Sequence, residues 1–256
     1  MNDLTKKPIE RPLSSIESFE IHLASASVQK KINSVIHGSI DIKKFCRSVM
    51  VAASNPDSAI STCERTSLVN ALTNCAQDGL IPDGNEAAIV GYYDKKTGVI
   101  NAKYTPMVAG VIKIILRDAS IRRLVAECVY KNDVFHYDVA DPESFSHKPN
   151  WFGERGEMVG AYAMAEKHDG TKIFEALNME QIIHIRSCAK KDFVWAKWTS
   201  EMARKSAVHR LSKYILVDSD IMQRDKDDYD FSIEPDNIKP VKEVIDVNKE
   251  LGLIGD

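Results

Sequence analysis

"MVGAYAMAEKHDGTKIFEAL", residues 158–177, decides the fold class. Two runs with strand character flank His168-Asp169-Gly170, a turn-forming stretch, so the segment reads as an antiparallel hairpin. A second hairpin lies upstream, where "EAAIVGYY" (86–93) and "VINAKYT" (99–105) flank the Gly-closed turn "DKKTG" (94–98). "RLVAECVY" (123–130) and "VFHYDVA" (134–140) read as further strands. Hairpins joined by short turns give antiparallel pairing, not the alternating strand–helix units of a parallel sheet.

Helical patterns enclose these strands. "SVQKKINSVI" (27–36) places Val28, Ile32 and Val35/Ile36 on one face, and "DIKKFCRSVMVAA" (41–53) does the same with Ile42, Phe45, Val49 and Ala52/Ala53. "SLVNALTNCAQDGL" (67–80) has a Leu68, Ala71/Leu72, Cys75/Ala76 stripe, with Gly79 where a C-cap belongs. A helix is predicted after Pro106 over 106–117. Another opens at Asn178, whose capping-box partner is Gln181 three residues on. "VWAKWTSEMARKSAVHRLSKYI" (194–215) closes the series as one long helix. The order of helices, hairpins and helices is α+β: antiparallel hairpins backed by helices. The expected organisation is a disordered 1–14, a helical N-terminal region over 15–79, an α+β core over 80–217 and a flexible acidic tail over 218–256.

The 256 residues carry a formal net charge of −3, but the charge is unevenly distributed. Residues 218–256 hold twelve acidic and five basic side chains, while residues 186–214 hold eight basic and two acidic ones. A basic region followed by an acidic tail suggests a polyanion partner for the first. No apolar stretch approaches the roughly 20 residues a membrane helix needs, and the N-terminus carries no apolar signal core. The five scattered cysteines form no C-x-x-C, which fits reduced thiols in a cytosol.

Several chemistries lack their motif. G-x-x-x-x-G-K-[ST], H-E-x-x-H and G-x-S-x-G are all missing. One nuclease-like pattern is present: Asp83 after Pro82, then Asp94 and Lys96, where two carboxylates would hold Mg²⁺ and the lysine would position water. Pro-Asp-Gly is equally a common turn, and Asp94 and Lys96 fall in a predicted hairpin loop.

At about 100° per residue the basic helix separates into distinct faces. Ala203, Ala207, Leu211 and Tyr214 form a narrow apolar stripe, with Lys205, His209 and Lys213 in a row on the far side and Arg204 on the other flank. Arg210 lies near the stripe, so it is read as half buried and in need of an anion, either an internal carboxylate or a bound phosphate. On the helix after Pro106 the polar strip is Gly110, Lys113 and Arg117. There two cations beside a glycine would let a phosphate backbone lie close to the helix. Lys103-Tyr104 adds a cation beside an aromatic, the combination that suits single-stranded nucleic acid. Trp195 and Trp198 share a face at the helix head. Trp198, nearer the stripe, reads as a staple and Trp195 as the stacking member. The candidate nucleic-acid-binding set is Lys103, Tyr104, Lys113, Arg117, Trp195, Lys197, Arg204, Lys205, Arg210 and Lys213, with no catalytic or metal-ligating residue. The rival readings are a Mg²⁺-dependent nuclease built on Asp83, Asp94 and Lys96, and an interaction protein with an acidic protein partner.

Four segments resemble the RecT family of phage single-strand DNA annealing proteins: "SLVNALTNCAQDGLIPDG", "PMVAGVIKIILRDASI", "EMVGAYAMAEKHDGTKIFEALNMEQI" and, most specifically, "WTSEMARKSAVHRLSKYILV". In the last, Lys205 and Arg210 occupy the family's basic positions. The resemblance implies a curved antiparallel sheet backed by helices. It also implies annealing of complementary single-stranded DNA in phage recombination, without ATP or other cofactor and with Mg²⁺ as a modulator. Implied partners are further copies in rings or filaments, a 5′-to-3′ exonuclease and a host single-strand binding protein. The implied location is the cytoplasm of a bacterial host, at the nucleoid during recombination.

Overall fold

A computed structural model describes residues 14–55, 58–189 and 192–215. The chain divides into two units, Met1–Val217 and Asp218–Asp256, and every described residue lies in the first. Of the segment 1–14 expected to be disordered, residues 1–13 fall outside the described residues, as does the acidic tail, while Ser14 is ordered as the N-cap of the first helix. No helix among those described is long and apolar enough to cross a membrane.

The fold is α+β, with every described strand pair antiparallel. Four helices come first: α1 (Ser15–Ala24), α2 (Ala26–Asn33), α3 (Ile42–Ala53) and α4 (Arg65–Gln77). Ser14 and Glu17 form a capping box on α1, and Asp41 caps α3 by accepting from the Lys44 amide. Glu64 caps α4 through the amides of Thr66 and Ser67, and Gly79 follows its end at φ 65°, as the C-cap position requires.

The hairpin β1 (Ala87–Tyr93) and β2 (Ile100–Pro106) shares one hydrophobic core with these helices. Phe19, Phe45, Leu68, Leu72 and Leu80 fill that core, and Ala87, Ile89 and Tyr104 enter it from the hairpin. Burying each of the large side chains contributes about 1.5–3 kcal/mol. The Ala102 amide donates to the Ser67 hydroxyl at 2.9 Å, and the Glu64 amide donates to the Ile100 carbonyl at 2.7 Å. The expected seam at 79/80 therefore runs through a shared core.

The remaining strands divide between two sheets. β3 (Ile121–Tyr130), β6 (Met158–Lys167) and β7 (Lys172–Asn178) form a three-stranded sheet with β6 in the middle, and β4 (Val134–His136) pairs with β5 (Ser146–Lys148). The predicted strand over 134–140 thus stops at His136. Alternation along β6 sends Ala161, Ala163 and Ala165 to one face and Tyr162, Met164 and Glu166 to the other. Tyr162 meets Phe135, Phe145, His147 and Phe174 on its side, so the β4–β5 segment closes this face with rings.

A buried ion network fixes that closure. The Asp133 carboxylate accepts from Arg155 Nε at 3.0 Å and Nη2 at 2.6 Å, from the amides of Tyr130 and Asn150, and lies 3.3 Å from His147 Nε2. Arg155 first, then these amides, hold the Asp133 carboxyl well below the usual carboxylate range. The guanidinium is stacked over Tyr130 (4.2 Å) and Trp151 (4.7 Å).

Helices α5 (Val108–Ile115), α6 (Met179–Ser187), α7 (Phe193–Lys197) and α8 (Thr199–Ile215) complete the unit. Asn178 and Gln181 form the expected capping box on α6. The long helix expected over 194–215 is broken at Trp198 (φ −130°, ψ 44°). Neither Pro nor Gly is involved. The Thr199 hydroxyl donates to the Trp195 carbonyl at 2.7 Å, the back-bonding that bends helices.

Candidate nucleic-acid interface

Helix α8 lies on the alanine face of the sheet. Two contacts fix this. The Cys128 thiol donates to the Ser200 carbonyl at 3.3 Å, and Cys128 pairs in register with Ala161. Arg210 Nε lies 2.7 Å from Glu175 Oε1, and Glu175 pairs in register with Ala163. Ala203, Ala207 and Leu211 are fully buried, as the apolar stripe demands. Small residues on both surfaces let the helix axis come close to the strands. Arg210, read as a half-buried cation in need of an anion, has Glu175 as that anion.

The Lys205–His209–Lys213 row does not point outward as expected. His209 is 8% exposed, and Val208 and Ser212 beside it are buried. α8 is central: α5, α6 and α7 contact it as well as the strands β3, β6 and β7. A helical wheel separates polar from apolar faces but carries no information on what covers the polar one. Burial first, then the charges of Lys205 and Lys213, push the His209 imidazole down to about 4. Burial also lowers the Lys205 ammonium, which is half buried and has no hydrogen-bond or ion-pair partner among the described residues. A cation removed from water without a counter-charge is a standing cost that a bound anion relieves.

The helix head reverses the tryptophan assignments. Trp195 is 3% exposed and is a core residue, while Trp198 is 53% exposed. The break after Lys197 turns Trp198 out, and Lys197 Nζ lies 5.6 Å from its ring centroid. Phe193 is also exposed, a ring that the sequence reading passed over because it lies outside the Trp195/Trp198 pattern. Arg186 pairs with Asp192 at 2.6 Å, just before Phe193. Arg204 pairs with Glu201 one turn back.

The polar strip of α5 is a seam inside the protein. A Cβ on Gly110 would stand 2.0 Å from the Glu86 carbonyl oxygen, so the glycine admits the chain's own backbone. Lys113 Nζ reaches both Glu86 carboxylate oxygens, at 2.8 and 2.7 Å. Arg117 donates to the carbonyls of Asp78 and Gly79, each at 2.7 Å, and so closes the C-terminus of α4. Glu86 serves twice more, its carbonyl accepting from the Met107 amide and its carboxylate from the Ile81 amide. The three strip positions thus meet segment 78–86 and not a ligand surface. Tyr104 is buried in the N-terminal core, where its ring has no face for a base, and Lys103 beside it is half buried.

The nuclease-like pattern is spent on turns. One Asp83 oxygen accepts the amides of Asn85 and Glu86, and Asp94 accepts the Lys96 amide and the Thr97 hydroxyl within the β1–β2 turn. Among the described residues no three His, Cys, Asp or Glu side chains gather as metal ligands.

Lys197, Arg204, Lys205, Arg210 and Lys213 therefore all stand on α7–α8 but on different sides of it, Arg210 toward the sheet and Lys205 and Lys213 in a separate row, with Trp198 and Phe193 exposed at the head. The structure assigns Lys113, Arg117, Tyr104 and Trp195 to internal contacts. The sequence profile of the RecT family matches residues 43–243. Protein RecT of Escherichia coli (strain K12) is 30% identical over 171 residues, which cover 64% of this chain and 63% of that protein. The chain thus matches somewhat less than two thirds of that relative's length.

Proposed function

Since the chain belongs to the RecT family, we propose that it binds single-stranded DNA and anneals complementary strands in phage recombination, without ATP. The observation that carries this reading is Lys205. It is half buried, lowered by burial alone, and without a counter-charge among the described residues. It lies within residues 43–243, which match the family. A backbone phosphate supplies the missing anion, and the neighbouring charge of Lys213 adds to the potential that attracts it.

Annealing needs no bond chemistry. Phosphates held by α8 leave the bases free to pair with a second strand, so pairing supplies the sequence specificity. Trp198 and Phe193 offer exposed rings on which a base can stack, and Lys197 beside Trp198 places a cation at the same point. Copies assembled along the strand in a ring or filament would multiply modest contacts per protomer. A 5′-to-3′ exonuclease would generate the strand and a host single-strand binding protein would share it, in the cytoplasm. Mg²⁺ would modulate the rate through the DNA's own charge.

The test mixes the purified protein with complementary oligonucleotides, with and without Mg²⁺ and ATP. Faster annealing with intact strands and no ATP requirement supports the reading. Shortened strands would instead indicate a nuclease, and no interaction at low salt would leave a protein-binding role.

A further inference from the structure

We propose that Arg122 and Arg123 form a phosphate clamp on the sheet face opposite α8, taking a DNA backbone phosphate distinct from the one met by Lys205. This rests on the single-strand DNA reading above. The carrying feature is an irregularity in β3. Ile121 pairs with Lys167 and Arg123 with Glu166, so Arg122 is an extra residue in the strand and the register shifts around it. Neighbours on a regular strand point to opposite faces. A bulge re-aims one of them.

Here both guanidiniums reach the same carboxylate. Arg122 Nη1 lies 3.2 Å from Glu166 Oε1, and Arg123 Nε lies 2.7 Å from Oε2. Glu166 shares its face of β6 with Tyr162 and Met164, the side turned away from α8. Lys172, its register partner on β7, is drawn off to Glu143, where its Nζ lies 3.1 Å from Oε2. That leaves the carboxylate to the two arginines.

Two positive charges thus answer one negative charge. Each guanidinium uses a single nitrogen on Glu166, and among the described residues no other hydrogen bond or ion pair engages either. Their side chains are 63% and 57% exposed, so the remaining N–H groups face solvent side by side. Paired planar forks with surplus charge match the oxygens of a phosphodiester. Glu166, 11% exposed, works as the fixed post that orients them.

The test measures single-strand oligonucleotide affinity against salt for the wild type and two charge-matched variants. One is Arg122→Gln/Arg123→Gln. The other, Lys43→Gln/Lys44→Gln, removes two exposed charges from α3. A clamped phosphate makes the slope of log K on log salt flatter in the arginine variant than in the lysine variant by about 0.7. Equal slopes in the two variants, with the wild type binding, would overturn the clamp and leave the DNA reading intact. A wild type that binds no DNA would overturn both. Arg122→Gln alone leaves Glu166 paired with Arg123. Compared with Lys43→Gln alone, it repeats the measurement with the fold secured.

Discussion

The carbonyl oxygen of Glu86 occupies the place where a side chain on Gly110 would begin, 2.0 Å from the position of its Cβ. Backbone cannot yield as a flexible side chain can, so α5 and the 84–86 turn would have to separate. Ala normally gains up to about 1 kcal/mol over Gly inside a helix. Gly110→Ala is expected to reverse that sign and destabilise by about 3 kcal/mol through overpacking. The midpoint of urea denaturation checks it, and an unchanged or raised midpoint would refute the close approach.

Arg210 and Glu175 tie α8 to β7 across 2.7 Å, with Glu175 largely buried. Arg210→Ala leaves that carboxylate without its partner, and a loss of about 2 kcal/mol is expected. A double-mutant cycle with Glu175→Gln should show the two costs to be non-additive. If the cycle is additive, the pair does not hold the helix to the sheet. Weaker DNA binding by Arg210→Ala would then need a separate explanation from this lost anchorage.

Lys205→Met keeps the length of the stem and removes a poorly solvated charge. Stability is expected to hold or rise slightly, since no ion pair is broken. DNA affinity should fall, with the salt slope flatter by about 0.7 for one lost phosphate contact. A variant that binds and anneals like the wild type would remove Lys205 from the interface.

His209 gives the protein an acid sensitivity with a defined window. Its folded-state value of about 4 lies below the ordinary histidine value of 6.5, so the unfolded chain binds the proton first as pH falls. Stability is unaffected by this group above about pH 6.5 and is lost between there and about pH 4, by about 2 kcal/mol from pH 7.5 to pH 5. His209→Leu should abolish this part of the pH dependence in urea titrations. Asp133 acts in a different window. Its depressed carboxyl contributes stability that is lost only as pH falls below the ordinary carboxylate range.

The two tryptophans should separate cleanly. Trp195→Ala empties a core position and is expected to cost about 3–5 kcal/mol. Trp198→Ala should leave the denaturation midpoint near that of the wild type, because the ring is exposed. In a Trp195-retaining protein, loss of the single-strand-induced fluorescence change on Trp198→Ala would place the ring against DNA. An unchanged signal would not.

What the sequence made legible was local. The capping box at Asn178 and Gln181, the glycine after α4, both hairpins and the Ala203–Ala207–Leu211 stripe are each set by residues within a few positions of one another. The α5 strip was legible as polar but not as internal, because its partners come from 78–86, more than twenty residues earlier. The break at Trp198 depends on one hydroxyl, Thr199, choosing the Trp195 carbonyl, and that choice reversed which tryptophan is exposed. His209 looked outward because its own helix offers no sign that neighbouring helices cover it. Arg122 and Arg123 are simply adjacent charges in the sequence, and only the register shift and the shared Glu166 show that both reach one carboxylate.

Segment 78–86 has a mechanical consequence. It ends α4 through the carbonyls that Arg117 grips, and it seats α5 through Glu86, while α5 in turn rests on α8. On one side Lys113 pairs with Glu86 and Arg117 holds two carbonyls, and on the other the backbones meet at Gly110. A displacement of the N-terminal helices is therefore expected to pass through this joint to α8. On the function proposed above, the N-terminal helices and the grip on the strand would then behave as one lever, and loosening the joint should uncouple the two before it unfolds either.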